Sequence, residues 1–111
     1  MSVENEKRKS ERVPFNSTVM FGITDPISYG FAYDLSEEGI SIYCEDLPRV
    51  SDRLVMEIML DSKLITIKGK VRWILKGMTG ESNRFGILLK GYPTALKNIY
   101  RRIKLTEHAK H

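Results

Sequence analysis

Six short stretches of the chain alternate apolar and polar residues with a period of two, and no other feature restricts the fold as strongly. In 25–36, Tyr29, Phe31, Tyr33 and Leu35 share one face, while Gly30, Ala32, Asp34 and Ser36 share the other. In 53–60, Leu54, Met56, Ile58 and Leu60 fall on one side. In 64–76 the inward set is Ile65, Ile67, Gly69, Val71, Trp73 and Leu75, against Thr66, Lys68, Lys70, Arg72 and Lys76, with Gly69 expected at a bend or bulge. The stretch 84–90 sets Phe85, Ile87 and Leu89 against Arg84, Gly86 and Lys90, and 13–21 and 39–45 complete the six. Turn chemistry separates them: Asp25-Pro26, the 36–39 corner, Pro48 within 47–52, Asp61-Ser62-Lys63, and 77–83 with its two glycines. Short strands with regular turns predict an antiparallel β-barrel or sandwich.

The period changes after Gly91. Pro93-Thr94 reads as a helix start, and Leu96, Ile99, Tyr100 and Ile103 recur at helical spacing, with Lys97, Arg101, Arg102 and Lys104 mostly off that stripe. The expected organisation is a flexible N-terminal arm (1–12), a β domain (13–91), an amphipathic helix (92–106) packed on it, and a short tail (107–111).

With 111 residues the chain has room for one core and little besides, so a binding module is favoured over an enzyme. No apolar run is long enough to cross a bilayer, and the charged first ten residues lack the apolar stretch of a leader, so a cytoplasmic protein without membrane insertion is expected. The lone cysteine, Cys44, lies between apolar neighbours and reads as a buried small hydrophobe. His108 and His111 sit in a polar end without a second ligand nearby, and neither a metal site nor a catalytic residue is expected. The formal charge of +4 is uneven. In 1–12, Lys7, Arg8, Lys9 and Arg12 face Glu4, Glu6 and Glu11; in 92–111, Lys97, Arg101, Arg102, Lys104 and Lys110 face Glu107 alone; the body between is close to neutral. A protein that grips long nucleic acid neutralises many phosphates with a broad basic face, whereas basic ends suit a small anion or a partner protein.

Two local patterns carry chemistry. Arg8 and Arg12 are four residues apart, which points both to one side of the chain in either regular conformation. Each guanidinium can fork onto phosphate oxygens or onto O6 and N7 of guanine. In Asp34-Leu35-Ser36-Glu37-Glu38-Gly39, the acid and the hydroxyl are two steps apart on one strand face. A carboxylate there accepts from guanine N1–H and N2–H. The small side chains at Gly30 and Ala32 would let a planar base lie close to that face, or else pair with bulky residues on a neighbouring strand. The plainer reading of Asp-x-Ser-x-x-Gly is a hairpin corner in which Gly39 takes a positive φ.

In order and at these separations, Arg8-x-x-x-Arg12 and Asp34-x-Ser36-x-x-Gly39 resemble the two-part signature of the PilZ domain family, bacterial receptors for cyclic di-GMP. Gly69-Lys70-Val71-Arg72-Trp73 is similar to the family's Gly-x-Val-x-Trp strand, and Arg84-Phe85-Gly86-Ile87 to its Phe-Gly strand. The resemblance implies a six-stranded antiparallel barrel with a C-terminal helix, and a cyclic di-GMP ligand held on the barrel's outside between the N-terminal arm and the Asp-x-Ser corner. It implies no catalysis. Arg8 and Arg12 take the roles towards guanine and phosphate, Asp34 and Ser36 the guanine edge, and Gly39 the tight turn. Lys7 stands at a position that influences whether one ligand or a stacked pair binds, and a base there leans towards the pair. Arg72 and Arg84, on outward parities, are candidates for added phosphate contacts, while Trp73 is expected in the core.

An arm with almost nothing apolar to bury is expected to become ordered by the ligand and to signal to a downstream effector protein through the changed surface. Ordering costs about 1–2 kcal/mol per residue, which bidentate contacts at about 1–3 kcal/mol each offset. Two other readings compete: a PilZ-like adaptor that binds no nucleotide, and a small nucleic-acid-binding barrel, which the neutral body disfavours.

Overall fold

The computed structural model describes residues 11–79 and 81–109. It contains β1 (Val13–Gly22), β2 (Ser28–Leu35), β3 (Gly39–Cys44), β4 (Arg53–Leu60), β5 (Lys63–Leu75), β6 (Asn83–Lys90) and the helix α1 (Thr94–Ala109). The strands close into an antiparallel barrel in the order β1-β2-β3-β6-β5-β4. Closure satisfies every strand's ladder on both sides and removes the exposed edges of an open sheet.

The inward residues of the alternating pattern fill the barrel. Val19, Ala32, Leu35, Ile42, Met56, Ile58, Val71 and Phe85 are almost wholly buried, each large one contributing roughly 1.5–3 kcal/mol by leaving water. Phe21 and Phe85 meet edge to face at 5.0 Å. β4 and β5 join through Asp61 and Ser62, both at positive φ, the twist that a two-residue hairpin requires. Gly91, at φ 63°, turns the chain from β6 towards the helix. The Pro93 carbonyl then accepts from the Leu96 and Lys97 amides to open α1. Leu96, Ile99 and Tyr100 bury the helix's apolar stripe on the barrel. The helix continues through Glu107 to Ala109, past the point where the sequence reading placed a tail.

Three pairings carry register shifts, and two of them overturn the simple alternation. Between Ala32 and Asp34 the β2–β3 register slips at Tyr33. Up to that point Gly30 and Ala32 face inward, so they do not share a face with Asp34. Ala32 is fully buried, and a Cβ on Gly30 would stand 2.7 Å from Ile42 Cγ2. These residues are small because the interior is full, and no outer surface for a base is formed there. Tyr29 and Phe31 point outward instead, 70% and 42% exposed. After the slip Asp34 comes out and Leu35 goes in.

The second slip lies between Val71 and Trp73 in the β5–β6 pair. Gly69 carries no bulge; it is buried within the ladder, where the Ile87 side chain takes up the space of a Cβ. The bulge falls at Arg72 and turns Trp73 out of the core to lie opposite Gly86, leaving Leu75 48% exposed. Gly39 also differs from expectation: its φ is not positive, and a side chain is excluded because its Cβ would run into the Ile87 carbonyl oxygen of β6.

Candidate ligand-binding site

The two bulges set one row of residues across four strands on the barrel's outside. Asp34 on β2 pairs with Ser41 on β3, Ser41 with Gly86 on β6, and Gly86 with Trp73 on β5. At the usual interstrand spacing this row is about 14 Å long. Gly86 has no side chain because the Trp73 indole lies where its Cβ would be. Ser41 is the one buried polar residue among the described residues, 3% exposed although it faces outward.

Arg12 supplies its cover. Its Nη1 donates to Ser41 Oγ at 2.9 Å and stands 3.6 Å from Asp34 Oδ2, and its guanidinium carbon is 5.9 Å from the centre of the Trp73 ring. Carboxylate, hydroxyl and aromatic ring thus hold one guanidinium while leaving half of that side chain exposed. A cavity of about 240 Å³ opens over the row, lined also by Ser36, Glu38, Gly39 and Arg72.

Ser36 builds the corner beside this row. Its Oγ accepts from the Gly39 amide at 3.1 Å and the Glu38 amide at 3.3 Å, and its own amide donates to the Gly39 carbonyl at 3.0 Å. The hydroxyl's acceptor capacity is spent on the turn that aims Asp34. Arg72 reaches the cavity and stands 3.6 Å from Glu38 Oε1, with both side chains about half exposed, where an ion pair contributes little. Arg84 does not line the cavity; it lies over the Tyr43 ring at 5.9 Å, beside a separate hollow that includes Phe31 and Met78. Lys7 and Arg8 lie outside the described residues.

Two tyrosines, one in α1 and one just before it, hold both halves of the site by their backbones. Tyr100 OH donates to the Glu11 carbonyl at 2.8 Å, next to Arg12, and Tyr92 OH, two residues before the helix, donates to the Ser36 carbonyl at 2.6 Å. Burial is the main reason both phenols are harder to ionise than usual. The Glu37 charge adds to it for both, whereas Lys104 pulls Tyr100 the other way. Cys44 is buried, its thiol pushed up to about 11 by desolvation and secondarily by Asp46. Sequence reasoning missed Ser41, Tyr92 and Tyr100 as site builders and placed Trp73 in the core. Only Ser41 left a local trace, as a polar residue at an outward position of an otherwise apolar strand.

The sequence profile of the PilZ domain matches residues 6–103. The chain belongs to the PilZ domain family. No curated protein matches it by sequence. Among solved structures, the chain is similar to the Bacillus subtilis inhibitor of motility, MotI/DgrA, with a TM-score of 0.74 and 18% identity over 95% of this chain and 53% of that one. It is also similar to the PilZ domain of YcgR from Escherichia coli, solved with c-di-GMP, with a TM-score of 0.66 and 16% identity over 94% of each chain. The chain therefore spans about half the length of MotI/DgrA, and at these identities the likeness is one of fold. Among the described residues no helix is long and apolar enough to cross a membrane.

Proposed function

We propose that the protein is a cytoplasmic receptor for cyclic di-GMP that binds the ligand on the outer row of the barrel and passes the signal to an effector protein without catalysing a reaction. The observation that carries this reading is the meeting of Arg12 with Asp34 and Ser41 in one cavity floored by Trp73 and Gly86. Asp34 accepts from the N1–H and N2–H edge of a guanine, which adenine does not present, and Arg12 turns its fork to O6 and N7 or to a phosphate. The Trp73 indole offers a face for stacking. At about 240 Å³ the cavity is smaller than the roughly 300–1,000 Å³ of a site that encloses a drug-sized ligand. It takes one base, and the rest of the dinucleotide falls to Arg8 and Lys7. Lys7 favours a stacked pair of ligands.

Calorimetric titration with cyclic di-GMP, using GTP and cyclic GMP as controls, tests the reading. A micromolar Kd, about −8 kcal/mol, is expected for the native chain, with loss of heat in Arg12→Ala and Asp34→Ala. The salt dependence should be shallow, because few phosphates are neutralised. Absence of heat from the native chain at tens of micromolar ligand, the scale set by that affinity, leaves the nucleotide-free adaptor as the better account.

A further inference from the structure

One step along the barrel from the ligand cavity, the outer face of β4, β5 and β6 concentrates positive charge. Arg53 stands directly opposite Lys70, and Lys68 directly opposite Lys90. Like charges in directly opposed cross-strand positions cost stability, yet two such pairs lie side by side here. Among the described residues none of the four cations is in an ion pair. On the outer face of β4, Glu57 is opposite Thr66 and not opposite any of the four cations. The cations surround a hollow of about 620 Å³ whose apolar groups include Ile23, Val55 and Leu88. Leu88 also lines the ligand cavity, so the two share a wall.

We propose that this hollow docks an acidic segment of a partner protein, with one aliphatic side chain seated against Val55 and Leu88 and carboxylates on the surrounding lysines and Arg53. Charge complementarity with an apolar centre and a polar rim is the ordinary anatomy of a protein interface. A bilayer presents headgroup charge spread over a flat surface, whereas the apolar centre of this hollow suits a single aliphatic side chain. A second copy of this chain placed about a two-fold axis would set the same four cations against each other. The proposal deepens the receptor reading by stating what the effector presents, but it stands on cations other than those that hold the nucleotide.

The test is an NMR titration of the full chain with a short peptide of glutamate and aspartate flanking one leucine, run beside phosphatidylglycerol vesicles. Amide shifts are expected at Arg53, Val55, Lys68, Lys70, Leu88 and Lys90 and not at Lys97, Arg101 and Arg102 of α1, which serve as an internal control for unspecific charge. Lys90→Glu places an acid opposite Lys68. It should raise the Tm and weaken the peptide by about tenfold, with the heat of cyclic di-GMP titration unchanged. Shifts spread equally over the α1 cations, co-sedimentation of the chain with vesicles in place of peptide binding, or a Lys90→Glu variant that binds peptide as the native chain does would each overturn the proposal. Loss of nucleotide heat with peptide binding intact would count against the receptor reading alone.

Discussion

The β4–β5 hairpin and the β2-β3-β6-β5 sector are built from the same alternating pattern and behave differently. From Arg53 to Leu60, β4 pairs residue for residue with Lys70 back to Lys63, without a slip, so parity in the sequence is parity in space. In the other sector one residue is inserted at Tyr33 and one at Arg72, and beyond each the alternation changes face. Asp34 and Trp73, the outer members of the binding row, lie just past those insertions. The regular hairpin supplies core, and the irregular sector supplies a site.

Breaking the irregular sector should have the largest effect. In Gly86→Val the new side chain would occupy the volume of the Trp73 indole. We expect destabilisation of about 1–3 kcal/mol in thermal melts and no measurable cyclic di-GMP binding by calorimetry. Thr66→Val, in the regular ladder opposite Glu57, should stay within about 0.5 kcal/mol of the native chain and bind normally. Equal losses in the two variants would mean that the bulged row has no special standing.

Trp73→Ala is the next largest. It removes the ring beneath the Arg12 guanidinium and opens the buried Ser41 to water. A cation–ring contact at a partly exposed site is worth about 0.5–1 kcal/mol and base stacking about 1–3 kcal/mol, so affinity should fall between about tenfold and several-hundredfold. The fold should survive, because the indole lies outside the barrel. A collapse of Tm comparable to that of a core truncation would show that Trp73 is structural after all.

These two variants also mark where the sequence stopped being readable. The six strands, the helix and the inward sets of β4 and β6 follow from local periodicity, which needs no knowledge of a partner strand. The Arg12 and Asp34 pair is equally local in each half, and the motif spacing brings both to the same cavity. A bulge is set by how a strand fits its neighbour. Nothing within 64–76 announces that Arg72, and not Gly69, takes the extra place, and so Trp73 read as core. The same holds for the tyrosines. Tyr92 reaches back 56 residues to Ser36, and Tyr100 reaches 89 residues to Glu11, contacts that no window of sequence contains.

The tyrosine contacts give a smaller, graded prediction. Tyr100→Phe leaves the Glu11 carbonyl without its phenol donor, and Tyr92→Phe does the same to Ser36, each at about 1 kcal/mol in chemical denaturation. Because both carbonyls belong to the segments that carry Arg12 and Asp34, ligand affinity should fall by several-fold alongside. Alkaline pH probes the same groups. Both phenols hold their protons more tightly when folded. The unfolded chain therefore releases protons above about pH 10 while the folded chain keeps them, and stability falls as pH rises from there. Cys44 acts in the same direction earlier, from its ordinary value of 9.0 up to about 11. The Tyr92→Phe and Tyr100→Phe double variant should flatten the slope above pH 10, by about 1.4 kcal/mol per pH unit for each proton no longer retained.

The smallest effect separates two arginines that the sequence treats alike. Arg72 and Arg84 both sit at outward positions next to motif residues, and the bulge at Arg72 sends them to different places. Arg72 lines the ligand cavity and, among the described residues, is held only by Glu38, in a pair exposed enough for a phosphate to displace. Arg84 lies over Tyr43, whose ring also stacks at 4.2 Å on Tyr33, and faces the neighbouring hollow. Arg72→Ala should weaken cyclic di-GMP by a few-fold, the scale of one partly exposed charged contact of about 1 kcal/mol. Arg84→Ala should leave affinity unchanged while altering the fluorescence or aromatic NMR signals of Tyr43. If Arg84→Ala weakens the ligand as much as Arg72→Ala does, the bound dinucleotide extends past Gly86 onto the tyrosine pair, and the binding row is longer than the cavity that marks it.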